Sequence, residues 1–126
     1  MNPTIIYYFT GTGNSLAVAR KIAEDTNAEL IGIPAALKNP RPIPKGASVG
    51  IIYPLYAGGL PGIVVRFLKS ISLADAGYVF FVATEGGRMG APTSQISRLA
   101  KAAGHELNAS WWIQMPDNYI PLSAPP

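Results

Sequence analysis

Hydroxyl, amide and glycine residues crowd into one short segment, Thr10-Gly11-Thr12-Gly13-Asn14-Ser15, between an apolar run and a helical stretch. A glycine-containing turn that opens a helix presents unpaired backbone N–H groups and the positive end of the helix dipole, and together these bind an anion. Thr10, Thr12, Asn14 and Ser15 add neutral side-chain donors, and no Lys or Arg lies in the segment. That chemistry suits a phosphate monoester held without a counter-ion. Taken alone, the same residues also read as an ordinary helix cap and turn. Two other phosphate signatures fail. A Walker A loop needs Gly-Lys-Ser/Thr, which does not occur, and a dinucleotide fingerprint needs a glycine where Leu16 stands and an acid about 20 residues further on, where the chain reads Ile31-Gly32-Ile33-Pro34.

Two further segments share this glycine-rich character. Tyr53-Pro54-Leu55-Tyr56-Ala57-Gly58-Gly59 offers an aromatic ring between proline and glycines, suited to stacking on a flat ligand, although such residues also make common turns. Thr84-Glu85-Gly86-Gly87-Arg88-Met89-Gly90 has three glycines that allow backbone N–H and C=O groups to approach a ligand's edge.

The elements that position these segments follow from periodicity. Ile5–Phe9, Glu29–Ile33, Ser48–Tyr53, Tyr78–Ala83 and Leu107–Met115 are short apolar runs, rich in β-branched and aromatic residues, as strands buried on both faces are. A helical stretch runs from Ser15 to Thr26. Ile63, Val64, Phe67, Leu68 and Ile71 form one apolar helical stripe, with Pro61 suited to its first turn. Ile96, Leu99, Ala100 and Ala103 form another, stopped by Gly104. Between the second and third strands, Pro34, Pro40, Pro42 and Pro44 predict a loop in which Ala35-Ala36-Leu37-Lys38 makes one turn at most. Buried strands alternating with amphipathic helices predict an α/β domain with a parallel sheet and right-handed crossovers. In such a sheet, ligands bind beyond the C-terminal ends of the strands, and all three glycine-rich segments lie there.

Composition narrows the classes. With 126 residues the chain allows one domain, and 48% apolar against 13% charged is a core-rich composition. There is no cysteine and one histidine, so disulfides, thiolate chemistry and cysteine-bound metal centres are excluded. Ten basic against seven acidic residues give +3 without any Lys/Arg run, which is not a nucleic-acid footprint. No apolar run approaches the roughly 20 residues a membrane span needs, and no secretory signal is recognisable. The expectation is a cytoplasmic protein with neither nucleic-acid nor membrane partners. His105, after the helix-ending Gly104, reads as a surface residue, and Trp111 and Trp112 as packing on opposite faces of the last strand. The chain ends at Pro125-Pro126 without a helix to close over the last strand, so residues 1–126 are expected to be one domain truncated at its C-terminus, or one with a sheet face left for a partner.

The three segments together resemble flavodoxin: Thr-Gly-Thr-Gly-Asn-Ser after the first strand, Pro54-Leu55-Tyr56-Ala57-Gly58-Gly59 after the third, and Thr84-Glu85-Gly86-Gly87 after the fourth. More narrowly, Phe9-Thr10-Gly11-Thr12-Gly13-Asn14-Ser15 and Met115-Pro116-Asp117-Asn118-Tyr119 are similar to the N-terminal half of bacterial and archaeal ferredoxin–flavodoxin fusion proteins. The resemblance covers nearly the whole chain. It implies a flavodoxin-like doubly wound, five-stranded parallel sheet of order 2-1-3-4-5 in three α/β/α layers, without the final helix. It also implies FMN as cofactor. Thr10, Gly11, Thr12, Gly13, Asn14 and Ser15 would hold the phosphate. Tyr56 would lie against the isoalloxazine, with Pro54, Leu55, Ala57 and Gly58 lining that side. Thr84, Glu85, Gly86, Gly87 and Gly90 would meet the pyrimidine edge, and Asn118 and Tyr119 would close the other end.

The implied function is electron transfer between redox partners, a ferredoxin among the candidates, with no catalytic residue and no metal site assigned. An FMN-dependent reductase of quinones or similar small acceptors is the alternative enzyme, disfavoured because no acid/base pair or nicotinamide signature is present. A non-redox interaction module, with the tryptophans marking a docking surface or a homodimer interface, is the alternative from another class. Two departures stand out: typical flavodoxins are strongly acidic whereas this chain carries +3, and the cysteine-bound clusters of the fusion proteins have no counterpart here.

Overall fold

A computed structural model of the chain describes residues 2–10, 14–55, 59–85 and 93–114. The elements run β1 (Thr4–Tyr8), α1 (Asn14–Thr26), β2 (Glu29–Gly32), α2 (Ile33–Lys38), β3 (Ser48–Pro54), α3 (Gly62–Ser70), β4 (Tyr78–Glu85), α4 (Thr93–Ala103) and β5 (Ala109–Gln114). The five strands form one sheet of order β2-β1-β3-β4-β5, and every pairing is parallel. This is the flavodoxin-like order that the sequence led us to expect. Among the described residues no helix is long and apolar enough to cross a membrane.

The two faces of the sheet are covered unequally. Alternate residues of the inner strands, including Ile5, Tyr7, Val49, Ile51, Tyr53, Val79 and Phe81, form the larger core with the buried faces of α2, α3 and α4. On the other face Ile6, Ile52, Phe80 and Val82 form a smaller core with Ala19, Val18 and Ile22 of α1. The helical stripe of α3 lands as expected, with Val64, Phe67 and Leu68 buried. At the end of α4, Gly104 takes φ +121°; its N–H bonds to the Lys101 carbonyl, and that of His105 to the Ala100 carbonyl. That pattern is a Schellman stop, which needs a residue free to adopt the left-handed conformation. His105 sits at the surface and donates from Nδ1 to the Glu106 carbonyl.

One element departs from expectation. Ile33–Lys38 is a six-residue helix where the sequence suggested a single turn, and Ile33 belongs to it instead of to β2. Proline is harmless in a first helical turn, where its missing N–H has no intrahelical acceptor anyway, and Pro34 sits there. Ile33 and Ala36 are buried and Leu37 packs beside them, a short stripe at i, i+3 and i+4 that fastens α2 to the larger core. The last strand also starts at Ala109 instead of at Leu107, and Met115 lies outside the described residues. Before it starts, Asn108 brackets Val79, its N–H donating to the Val79 carbonyl while its Oδ1 accepts from the Val79 N–H at 2.8 Å.

Gly50 sets the spacing of the smaller core. It lies in register between Ile6 and Phe80, and the Phe80 ring lies across it, with ring carbon Cζ 2.3 Å from where a Cβ would stand. The ring therefore occupies the place of a missing side chain. Gly50→Ala is expected to cost about 1–3 kcal/mol through overpacking. Gly62→Ala, at the start of α3 with nothing within 4 Å of its Cβ position, is expected to be neutral or to gain up to about 1 kcal/mol. Urea unfolding of both variants checks the pair; equal midpoints would mean that Phe80 moves aside freely.

Candidate functional site

The C-terminal ends of β1, β3 and β4 converge at one edge of the sheet, as the parallel topology demands. Tyr8 pairs with Ile52, and Pro54 pairs with Thr84. Backbone bonds continue the pairing into the loops. The Phe9 N–H donates to the Ile52 carbonyl at 2.9 Å, and the Leu55 N–H donates to the Thr84 carbonyl at 2.7 Å. The strand ends are thereby fixed before their loops begin. Because α1 follows β1 directly, its N-terminus opens at this same edge.

A side-chain hydrogen bond joins two of the three segments. Ser15 Oγ, in the first turn of α1, lies 2.7 Å from Thr84 Oγ1, near the end of β4. Both residues are 1% exposed. A hydroxyl can donate once and accept twice, so each satisfies the other inside an apolar surround where an unpaired hydroxyl is costly. Nothing in the sequence signals this link, since the partners are 69 residues apart. The general clue was that both are small hydroxyl residues at the same edge of a parallel sheet.

Of the residues singled out from sequence, Thr10, Ser15, Pro54, Leu55 and Thr84 are gathered at this edge. Pro54 and Leu55 are buried at the end of β3. Asn14 begins α1, and Glu85 ends β4 in register with Gln114. Gly11, Thr12, Gly13, Tyr56, Ala57, Gly58, Gly86, Gly87, Gly90, Asn118 and Tyr119 lie outside the described residues. Tyr53, just below the edge, is 1% exposed and meets Phe81 edge-on; burial pushes its phenol well above the usual tyrosine range, so it stays neutral. The two ion pairs among the described residues lie elsewhere, Lys21–Asp25 on the outer side of α1 and Arg41–Glu29 at the β2 edge of the sheet.

No family model matches the chain, and no curated protein does. Among solved structures the chain is similar to the solution structure of two-electron reduced Megasphaera elsdenii flavodoxin. The two share 17% identity over 92% of this chain and 90% of the other, with a TM-score of 0.55. At that identity the likeness is one of fold. This protein therefore has a flavodoxin-like fold.

The Ser15–Thr84 link makes a direct test of how the edge is held together. Ser15→Ala and Thr84→Val each leave one buried hydroxyl unpaired and are expected to cost about 1–3 kcal/mol. The double variant removes both hydroxyls and is expected to cost less than the sum. A thermal or urea double-mutant cycle reads the coupling, and strictly additive losses would mean the two hydroxyls do not depend on each other.

Proposed function

We propose that the chain binds FMN and carries electrons between protein partners. The observation that supports this best is the convergence of the ends of β1, β3 and β4, after which the three glycine-rich segments follow in the sequence, with the start of α1, at the C-terminal edge of a flavodoxin-like sheet. The donor chemistry fits the cofactor. A phosphate monoester is satisfied by a helix N-terminus with neutral Thr, Ser and Asn donors. A flat ring needs an apolar seat, and Pro54 and Leu55 supply one beside Tyr56.

Bound FMN would supply reversible uptake of electrons. The residues of the chain do the rest. Thr10, Gly11, Thr12, Gly13, Asn14 and Ser15 bind the phosphate. Tyr56, with Pro54, Leu55, Ala57 and Gly58, covers the ring and keeps water from it. Thr84, Glu85, Gly86, Gly87 and Gly90 orient the pyrimidine edge through their backbone groups, and Tyr119 closes the far side. The Ser15–Thr84 bond ties the start of α1 to the end of β4, the two elements that flank the phosphate and ring-edge segments. On this reading residues 1–126 are one flavodoxin-like domain of the kind found in the N-terminal half of ferredoxin–flavodoxin fusion proteins, acting in the cytoplasm with a ferredoxin as redox partner. The +3 balance suits an acidic partner face.

A second reading, an interaction module that works without flavin, draws support from the β5 side of the sheet. There Trp111 is 54% exposed, with Tyr78, Trp112 and Ile113 also exposed. Those side chains would serve a docking surface or a homodimer.

The visible absorption spectrum of the purified chain, before and after incubation with FMN and removal of the excess, separates the two. The FMN reading expects flavin bands that stay with the protein. Thr12→Ala and Asn14→Ala are each expected to weaken FMN about tenfold, the scale of one hydrogen bond to a charged group. Riboflavin, which lacks the phosphate, is expected to bind these variants as it binds the unaltered chain. Unchanged FMN affinity in both variants would remove the phosphate assignment, and a colourless dimer that cannot be reconstituted would favour the interaction module.

A further inference from the structure

Away from the C-terminal edge, a cavity of about 270 Å³ opens on the larger-core face where β1 and β2 meet α2. The register explains its walls. Tyr7 pairs with Ile31 and Ile5 with Glu29, so the side chains of Tyr7, Ile31 and Glu29 share one face of the sheet. Ala36 of α2 completes an apolar floor, and Asn39 and Arg41 of the following loop stand at the rim with Glu29. Arg41 donates through one terminal nitrogen to Glu29 at 2.7 Å, which leaves most of its five N–H donors uncommitted to that bond.

Tyr7 makes this more than a surface dent. Its side chain is 3% exposed, and its ring packs at 4.9 Å on Phe67. Its hydroxyl makes no hydrogen bond to any described residue, yet the side chain lines the cavity. Burial raises its pKa, an effect that nearby Glu29 reinforces and Arg41 opposes, so the hydroxyl remains a donor at neutral pH. A donor that no protein group engages and that lines a cavity is available to a ligand acceptor there. The charged lining residues, Glu29 and Arg41, are paired with each other, so what the walls still offer is the Tyr7 hydroxyl and the remaining N–H groups of Arg41, donors that suit an acceptor-bearing ligand. The volume selects its size, since ligand pockets commonly measure roughly 300–1,000 Å³ and this one falls below that range.

We infer that this cavity is a second binding site, independent of the flavin reading, that takes a small monocarboxylate with an apolar body. The apolar body lies on Ile31, Ala36 and the Tyr7 ring, and the carboxylate accepts from the Tyr7 hydroxyl and from the remaining N–H donors of Arg41.

Benzoate is a suitable probe, with benzamide as its neutral isostere. Titration of the full chain, with and without FMN, followed by amide shifts in ¹H–¹⁵N spectra, reads both position and affinity. The expected result is saturable benzoate binding with shifts centred on Ile31, Ala36 and Asn39. Benzamide is expected to bind at least about fivefold more weakly, as is benzoate to Tyr7→Phe, which keeps the ring that packs on Phe67. Shifts that do not saturate, that centre elsewhere, or that are equal for benzoate and benzamide would overturn the assignment. The isostere comparison uses the unaltered chain and so decides the matter even where Tyr7→Phe is destabilised. A Tyr7→Phe variant that folds and binds benzoate unchanged would also overturn it, leaving an apolar contact only.

Discussion

Water has to be kept from both faces of β3, because a parallel strand with neighbours on each side has no solvated face on which to carry polar groups. Its sequence, SVGIIYP, contains no charge, and Val49, Ile51, Ile52 and Tyr53 are at most 1% exposed. The helices α2, α3 and α4 dry one face. On the other, α1 covers Ile52, and the Phe80 ring fills the space above Gly50. The crossover helices are thus obligatory, and because every strand pairing is parallel the strand-to-helix loops leave at the same edge. The site is where it is because β3 must be buried.

That edge is also where the burial requirement meets the need for loops that can bind. Loops leaving a buried strand take with them backbone groups that must find partners. Phe9 and Leu55 solve this by extending the strand pairing one residue past the ends of β1 and β3. Ser15 and Thr84 solve it with side chains, each hydroxyl answering the other across the gap between α1 and β4. The strand ends are consequently rigid up to the last residue before each glycine-rich segment.

Much of this was legible in the sequence because it rests on periodicity. The uncharged runs beginning at Ile5, Ser48 and Tyr78 read as strands buried on both faces, and they are β1, β3 and β4. The stripe Val64, Phe67 and Leu68 lies on the buried side of α3 as its spacing requires. Gly104 ends α4 for the reason a glycine usually does. What escaped the sequence was tertiary. Pro34 reads as a strand breaker, and only the burial of Ile33 and Ala36 against the sheet makes it the first turn of α2. Gly50 is an unremarkable strand residue until Phe80 is seen lying on it. The Ser15–Thr84 bond spans 69 residues and leaves no periodic trace, and neither does the Tyr7 cavity, whose walls come from two strands, a helix and a loop.

The two outer strands of the sheet meet solvent in opposite ways, and this bears on how the protein can approach another. Beside β2, Arg41 reaches back to Glu29 and carries the proline-rich loop with it. Both side chains are more than half exposed, so the pair is worth no more than about 1 kcal/mol to stability. Its consequence is geometric, since a charged pair and a proline-rich segment beside an outer strand discourage further strand addition. β5 carries no charge in ASWWIQ. Its register puts Trp111 beside Val82, on the α1 side, and Trp112 beside Ala83, on the side of α3 and α4. The expectation of one tryptophan on each face thus holds, but both remain substantially exposed. Trp111 meets Phe80 edge-on at 6.1 Å, and Tyr78 meets the same ring from the other side of the cluster, so the smaller core continues outward as an aromatic surface. Contact made there would bury apolar area against β4 and β5 while leaving the strand ends and the start of α1 as they are.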